Sequence, residues 1–305
     1  MKDIVVIGSS NTDMIVQTPH IPKPGETVLG GTFNTAAGGK GANQAVACAR
    51  GGGQVTFVAR VGNDMFGDQA LQGFKRDGIN VSYVTKDESA PSGVALIIVD
   101  DQGENSIAVA SGANGNLSVS DVEDAAEDIK NAGIVLMQLE TPIKTIEAAA
   151  ALAVKNGVQV ILNPAPAQPL SDALLQKITI LTPNETEAEM LTGIAVQDEA
   201  DAEKAAQALI DKGVTSVIIT LGAAGAYVYS GEFKGMVPGF KVNPVDSTAA
   251  GDTFNGTLAV ALAEGKALTE AVTFANAAAA ISVTMLGAQP SAPTRDRVAQ
   301  FLQKQ

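Results

Sequence analysis

Short β-branched runs alternate with amphipathic, Ala-rich stretches along most of this chain, and that alternation restricts the fold more than any other feature. Ile4-Val5-Val6-Ile7 and the runs at 55–58, 134–137, 158–162, 178–181 and 217–220 read as strands buried on both faces. Helical patterns fall between them, at 42–50, 67–76, 119–130, 143–155 and 200–212. Strand, crossover helix, strand is the arrangement that builds a parallel sheet covered by helices on both faces. The expected class is α/β, with three layers and a mostly parallel sheet.

Two segments depart from the alternation. Residues 14–33 hold three Pro and several Gly among short β-prone pieces. Residues 92–109 read as a hairpin, 93–99 and 104–109 around a turn at 100–103. Neither supplies a crossover helix, so both are expected to leave the main sheet and form a small β lid, cut from about 12–36 and 90–110. The last third reads as three helices, 250–264, 268–284 and 295–302. No repeat or flexible linker divides the 305 residues, so one α/β domain, 1–305, carrying the lid is expected.

Charge and composition exclude several kinds of chemistry. The net charge is −13, and no Lys/Arg-rich block offers a footprint for nucleic acid. One His and one Cys argue against a zinc site, an internal disulfide or a His-based triad. No apolar run approaches the length of a membrane span. The opening run is too short for a signal peptide. A cytoplasmic protein that touches neither nucleic acid nor membrane is expected.

Ala249-Ala250-Gly251-Asp252 carries the strongest local signal. A strand end is expected to run through these small residues into a helix, whose first N–H groups would be unpaired at its positive end. That is an anion site. Asp252 beside it reads either as a general base for an attacking hydroxyl or as an N-cap. Gly38-Gly39-Lys40-Gly41-Ala42-Asn43-Gln44 fails the Walker pattern but lets backbone approach a small ligand, with Asn43 offering donor and acceptor. Asn11 and Asp13 follow the first strand and are placed to grip hydroxyls. Glu140 and Asn184 also stand at strand ends, where each could instead cap the next helix. The turn at Gly222 and Gly225 suits a nucleotide phosphate or a plain hairpin. No G-x-G-x-x-G fingerprint appears, which counts against a dinucleotide enzyme.

Together these residues resemble the PfkB-type carbohydrate kinases, the ribokinase family. Residues 38–44 are similar to its N-terminal signature, 246–252 to its C-terminal signature, and Asn184-Glu185-Thr186-Glu187 to its N-x-x-E motif. The resemblance covers the whole chain. It implies a Rossmann-like, ribokinase-like α/β/α fold with a β lid, and ATP-dependent phosphorylation of D-ribose at O5. It implies Asp252 as base, with Ala249, Ala250 and Gly251 supplying the anion hole. It implies ribose contacts from Asn11, Asp13, Gly39, Lys40, Asn43 and Glu140. ATP contacts would come from Asn184, Glu187, Thr220, Gly222, Gly225, Gly251 and Asn276, with Mg2+ held mainly through water. A K+ site would use Asp246, Thr248, Ser282, Met285, Gly287 and Ser291, and two lids would clasp in a homodimer. Another sugar or nucleoside acceptor, or a non-catalytic sugar-binding regulator on the same fold, are the alternatives.

Overall fold

The computed structural model describes residues 2–305. The first half of the chain contains β1 (Ile4–Ile7), β2 (Asn11–Gln17), β3 (Thr32–Gly38), α1 (Lys40–Arg50), β4 (Val55–Gly62), α2 (Met65–Arg76), β5 (Asn80–Asp87), β6 (Gly93–Val99) and β7 (Asn105–Ala110). The middle runs through α3 (Val119–Asp124), α4 (Ala126–Asn131), β8 (Ile134–Met137), α5 (Ile143–Lys155), β9 (Gln159–Leu162), α6 (Asp172–Leu175), β10 (Ile180–Leu181), α7 (Glu185–Thr192) and α8 (Glu199–Asp211). The chain ends with β11 (Ser216–Thr220), β12 (Gly225–Tyr229), β13 (Lys234–Pro238), α9 (Ala250–Ala263), α10 (Leu268–Ser282) and α11 (Arg295–Leu302).

Nine strands form one sheet in the order β13-β12-β11-β10-β9-β8-β1-β4-β5, and β3-β2-β6-β7 form a second. From β11 across to β5 every pairing is parallel, while β12 and β13 extend the edge antiparallel. The alternation of side chains in β1 divides the core. Ile4 and Val6 pack with α1, α9 and α10, whereas Val5 and Ile7 pack with α3, α5 and α8. Each such fully buried side chain contributes about 1.5–3 kcal/mol.

Strand order reverses at β1: the chain proceeds to β4 and β5 on one side and to β8 and β9 on the other. The crevice beyond the carboxyl ends of these strands is where open α/β sheets bind ligands. The second sheet rises from this crevice, because β2 starts four residues after β1 ends and β3 leads straight into α1. α9 is drawn close to α1 at Gly256, where a Cβ would stand 2.6 Å from Ala47 Cβ and 2.7 Å from the Gln44 carbonyl oxygen.

Four local expectations change. The helix expected over 119–130 divides at Ala125, whose ψ of 8° leaves the helical range, so that Val122 and Ile129 both reach the sheet. No strand precedes α9; an irregular segment, 239–249, separates it from β13, because Val245 and Asp246 N–H groups bond to the Val283 carbonyl rather than to a strand. β5 and β13 were not anticipated, since they form the sheet edges and carry weaker apolar runs, whereas β12 is the buried second arm of the hairpin open as an alternative at Gly222 and Gly225. In the second sheet, pairing occupies β2 and β3, while 18–31 between them carries no strand.

Candidate active site

The crevice gathers side chains from segments far apart in sequence. Ser9, just past β1, donates to Glu140 Oε2 at 2.5 Å, bridging the strand-order reversal. The Lys40 N–H donates to the same oxygen at 2.9 Å. Glu140 therefore does not cap α5, whose N-cap is Pro142; it holds the start of α1. Gly39 makes the turn into α1 with φ 88°, and a Cβ there would lie 2.6 Å from the Asn11 nitrogen. Asn11 Oδ1 accepts from Asn114 Nδ2 at 2.7 Å, which leaves its amide N–H groups for another partner. Asp13 stands two residues further along β2.

Asp252 lies in the first turn of α9 but is not its cap. Ala249 occupies that position, so the N-cap alternative for Asp252 fails. The carboxylate accepts from Asn43 Nδ2 at 2.9 Å and Gln44 Nε2 at 3.0 Å. Ala249 has φ 57° and is the one non-glycine residue at positive φ among the described residues. Such a backbone costs of order 1–3 kcal/mol and persists where surrounding structure imposes it. No side chain caps α9. The Ala250 N–H turns back to the Ser247 carbonyl at 3.2 Å, so the cradle is narrower than the sequence suggested: of the four, the Ala249, Gly251 and Asp252 N–H groups face no protein acceptor.

These N–H groups border a cavity of about 180 Å³, lined also by Lys40, Asn163, Thr182, Asn184, Glu187 and Thr220. A second cavity, of about 580 Å³, adjoins it through shared Ser247 and Ala250. Gly222, Ala223, Phe240, Pro244 and Asn276 line this larger, mostly apolar space. Asn276 donates to the Val237 and Pro238 carbonyls, fixing its ring of neighbours while its Oδ1 takes no protein donor. Gly225 lines neither cavity; it holds φ 104° where a Cβ would meet the Val237–Gly239 backbone, and so shapes the β11–β12 hairpin. A further opening of about 500 Å³ lies between the first residues of β2, the end of β3 and α2, and of the expected site residues only Asn11 reaches it.

Asn184 and Glu187 form a reciprocal capping box at the start of α7, with Asn184 Oδ1 accepting from Glu187 N at 2.8 Å. Asp246 joins two segments: Oδ1 accepts from Thr248 N at 2.9 Å and Oδ2 from Gly287 N at 2.8 Å. Ser282 and Ser291 are fully buried nearby in the chain, each donating to a local carbonyl.

The chain matches the pfkB family of carbohydrate kinases over residues 1–295. It belongs to that family. It is 49% identical to ribokinase of Haemophilus influenzae over 302 residues, covering 99% of each chain. It is 40% identical to deoxyribokinase of Salmonella typhimurium, covering 98% of each. Among solved structures it is similar to Arabidopsis thaliana ribokinase complexed with ribose and ATP, with a TM-score of 0.91 and 37% identity over 99% of each chain. A carbohydrate kinase is a phosphotransferase acting on an alcohol group, so its site must seat a neutral polyol beside a polyanion.

The electrostatics of this carbohydrate kinase suit that task. Burial pushes the Asp252 carboxyl up, against Lys40 and the two amide donors, which favour the anion. Burial, with the Glu140 and Asp252 charges behind it, lifts Asp13 to about 6. Burial also raises Glu187. Lys40 is pulled down by burial, but Asp252, Glu140 and Glu187 outweigh this and hold it above the ordinary lysine range. One cation thus serves three carboxylates.

Sequence reasoning passed over several residues of the site. Gln44 lay inside the quoted glycine-rich motif but was given no part. Asn163 and Thr182 sit just past the ends of β9 and β10, where position at the carboxyl edge could have found them. Asn114, fully buried in a short turn, had no local signal at all.

Proposed function

We propose that this carbohydrate kinase transfers the γ-phosphoryl group of ATP to O5 of D-ribose, and that Asp252 is the base. The observation that carries this is the place of Asp252: its carboxylate faces Asn43 on the polyol side, while its own N–H belongs to the amide cradle on the anion side. O5 attacks the γ-phosphorus, the O5–P bond forms as the bond to the β-phosphate oxygen breaks, and the O5 proton passes to Asp252. The Gly251 and Asp252 amides stabilise charge on the moving phosphoryl group. Asn11, Asp13, Gly39, Lys40, Asn43 and Glu140 line the sugar side. Asn43 Oδ1 is buried without a partner, as befits an acceptor for a sugar hydroxyl. Asn184, Glu187, Thr220 and Gly251 take the phosphates, Gly222 and Asn276 the base and ribose of the nucleotide, and Gly225 keeps that hairpin open. The ribose and ATP seen with the Arabidopsis relative support the assignment.

Magnesium would neutralise part of the ATP charge. The Asn184 and Glu187 oxygens accept from each other's N–H groups in the capping box yet line the cavity, which suits contact through the ion's waters. A potassium ion would lie among Asp246, Thr248, Ser282, Met285, Gly287 and Ser291, an all-oxygen set if Met285 contributes its carbonyl. There it would fix the loop before α9. The lid shows exposed apolar side chains, Phe33 at 59%, Leu96 at 53% and Ile107 at 55%. In the β2–β6–β7 register, Leu96 and Ile107 fall on opposite faces. Closure over sugar covers one face, and a second copy clasping the lid covers the other, giving a homodimer. No helix among the described residues is long and apolar enough to cross a membrane, and buried, unpaired Cys48 suits a reducing cytoplasm.

The test is product identification after incubation with MgATP and D-ribose, alongside 2-deoxyribose, fructose and a nucleoside. Ribose 5-phosphate as the preferred product supports the reading. Phosphate on another carbon, or a clear preference for another acceptor, sinks it, and sugar binding without turnover points to the regulatory alternative.

A further inference from the structure

Gln44 is fully buried and reaches none of the proposed ligand positions, yet it sits at the centre of the polar network beneath them. Its Nε2 donates to Asp252 Oδ1 at 3.0 Å and to Asn163 Oδ1 at 3.1 Å. Its Oε1 accepts from Gln138 Nε2 at 2.6 Å. Asn163, which lines the phosphate-side cavity, donates to the Thr182 carbonyl at 3.1 Å. Thr182 Oγ1 donates to Asn255 Oδ1 at 2.6 Å, and Asn255 Nδ2 donates to the Gly251 carbonyl at 2.8 Å. That carbonyl belongs to the peptide whose N–H is that of Asp252. The circuit therefore starts at the Asp252 side chain and returns to the Asp252 backbone.

The directions of the Gln44 and Gln138 bonds follow from the contact with Asp252. An ionised carboxylate only accepts, so Gln44 must present its NH2 to Asp252. Its oxygen then faces Gln138, which must present its own NH2 in turn. This leaves Gln138 Oε1 buried with no protein partner, a cost of about 1–3 kcal/mol. A core residue kept only for packing has no reason to impose that cost. The Thr182 and Gly251 carbonyls likewise only accept, which sets Asn163 and Asn255, so the Asp252 carboxylate and Asn163 Oδ1 together hold the Gln44 NH2 in place.

We propose that Gln44 is a positioning residue that holds the Asp252 carboxylate in register with the Gly251–Asp252 amides, so that proton acceptance and phosphoryl stabilisation are aligned by one network. The inference rests on the reading of Asp252 as base. Misplacing a reacting group by about 1 Å costs as much as 100-fold in rate.

The experiment compares Gln44→Met, which keeps length and removes both polar ends, with Asp252→Asn and the parent enzyme. The measurements are kcat, KM for the sugar, sugar Kd without nucleotide, and Tm. Gln44→Met is expected to lower kcat about 10- to 100-fold while KM and Kd for ribose stay within about threefold. Gln44→Glu places a second carboxylate against Asp252 Oδ1. It should move the acid limb of the kcat–pH profile upward, since Lys40 on α1 is unchanged and Glu140, Asp13 and Glu187 already face the site with negative charge. Should Gln44→Met fail to fold, Gln138→Leu loosens Gln44 from its far end, and a kcat-selective loss is again expected. A variant whose kcat stays within threefold of the parent overturns the proposal, as does a loss of kcat matched by an equal rise in Kd. If Asp252→Asn itself turns over normally, the base assignment fails instead.

Discussion

Asn43 Nδ2 stands 2.9 Å from Asp252 Oδ2, a contact between residues 209 apart that joins the start of α1 to the start of α9. With Gln44 on the other oxygen, each half of the carboxylate has one donor, and this counters the burial that otherwise favours its neutral form. Burial still leaves the carboxyl above the ordinary carboxylate range, with Lys40 and then the two amides favouring the anion, the form that accepts the proton when a hydroxyl attacks.

Asp252→Asn removes that acceptor while keeping the shape and an oxygen for one amide. Turnover should fall at least about 100-fold, with ribose Kd changed by no more than a few-fold. Steady-state kinetics and calorimetric titration check this, and a kcat near the parent value contradicts it.

Asp13 sets a pH dependence. Its pKa rises from 3.8 to about 6 in the folded protein. Between those values the folded state holds a proton that the unfolded chain has released, so this contribution to stability is full below about 4 and is lost as pH rises through 6. Asp13→Asn should therefore stabilise the sugar-free protein by of order 2 kcal/mol at pH 7.5 and by little at pH 4. The same change should weaken sugar binding, because an ionised carboxylate is a stronger acceptor for hydroxyls than an amide oxygen. Denaturant melts at the two pH values read the first effect. In the parent enzyme KM for ribose should climb as pH falls below about 6.

Glu140→Ala takes away the shared acceptor of Ser9 Oγ and the Lys40 N–H. Both donors would be left within the crevice wall, and the turn at Gly39 would lose its anchor. KM for ribose should rise about tenfold or more, with a stability loss of about 1–3 kcal/mol. An unchanged KM would separate Glu140 from the sugar side.

Gly256→Ala tests the link between packing and chemistry. The added methyl would fall on Ala47 Cβ and the Gln44 carbonyl oxygen, forcing α9 and α1 apart. Overpacking of this kind costs about 1–3 kcal/mol. It would also lengthen the Asn43 and Gln44 bonds to Asp252, so kcat should fall although residue 256 touches no substrate. A stable variant with full activity would show that the two helices can separate without disturbing the carboxylate.

Much of the molecule is legible in the chain because its causes are local. Ile4 to Ile7 is a continuous β-branched run, so it is a buried strand wherever it is placed. Ala249-Ala250-Gly251 is small enough to bare helix-terminal N–H groups, and Asn184 with Glu187 spells a capping box. β5 and β13 were missed because edge strands are defined by a neighbour's hydrogen bonds more than by their own apolar content. Asn114 was invisible for a similar reason: it orients Asn11 across 103 residues from within a turn.

By itself the sequence determined the α/β class, the two lid segments and the residue types that could grip a polyol or a phosphate, since periodicity, caps and glycine turns act over a few neighbours. Tertiary structure alone decided that Asp252 does not cap α9, that Glu140 anchors Lys40 instead of capping α5, and that Gln44 bonds to the Asp252 carboxylate. Those outcomes depend on the strand order around β1 and on the contact at Gly256, where packing brings distant segments within hydrogen-bond reach, and packing leaves no periodic trace in a chain.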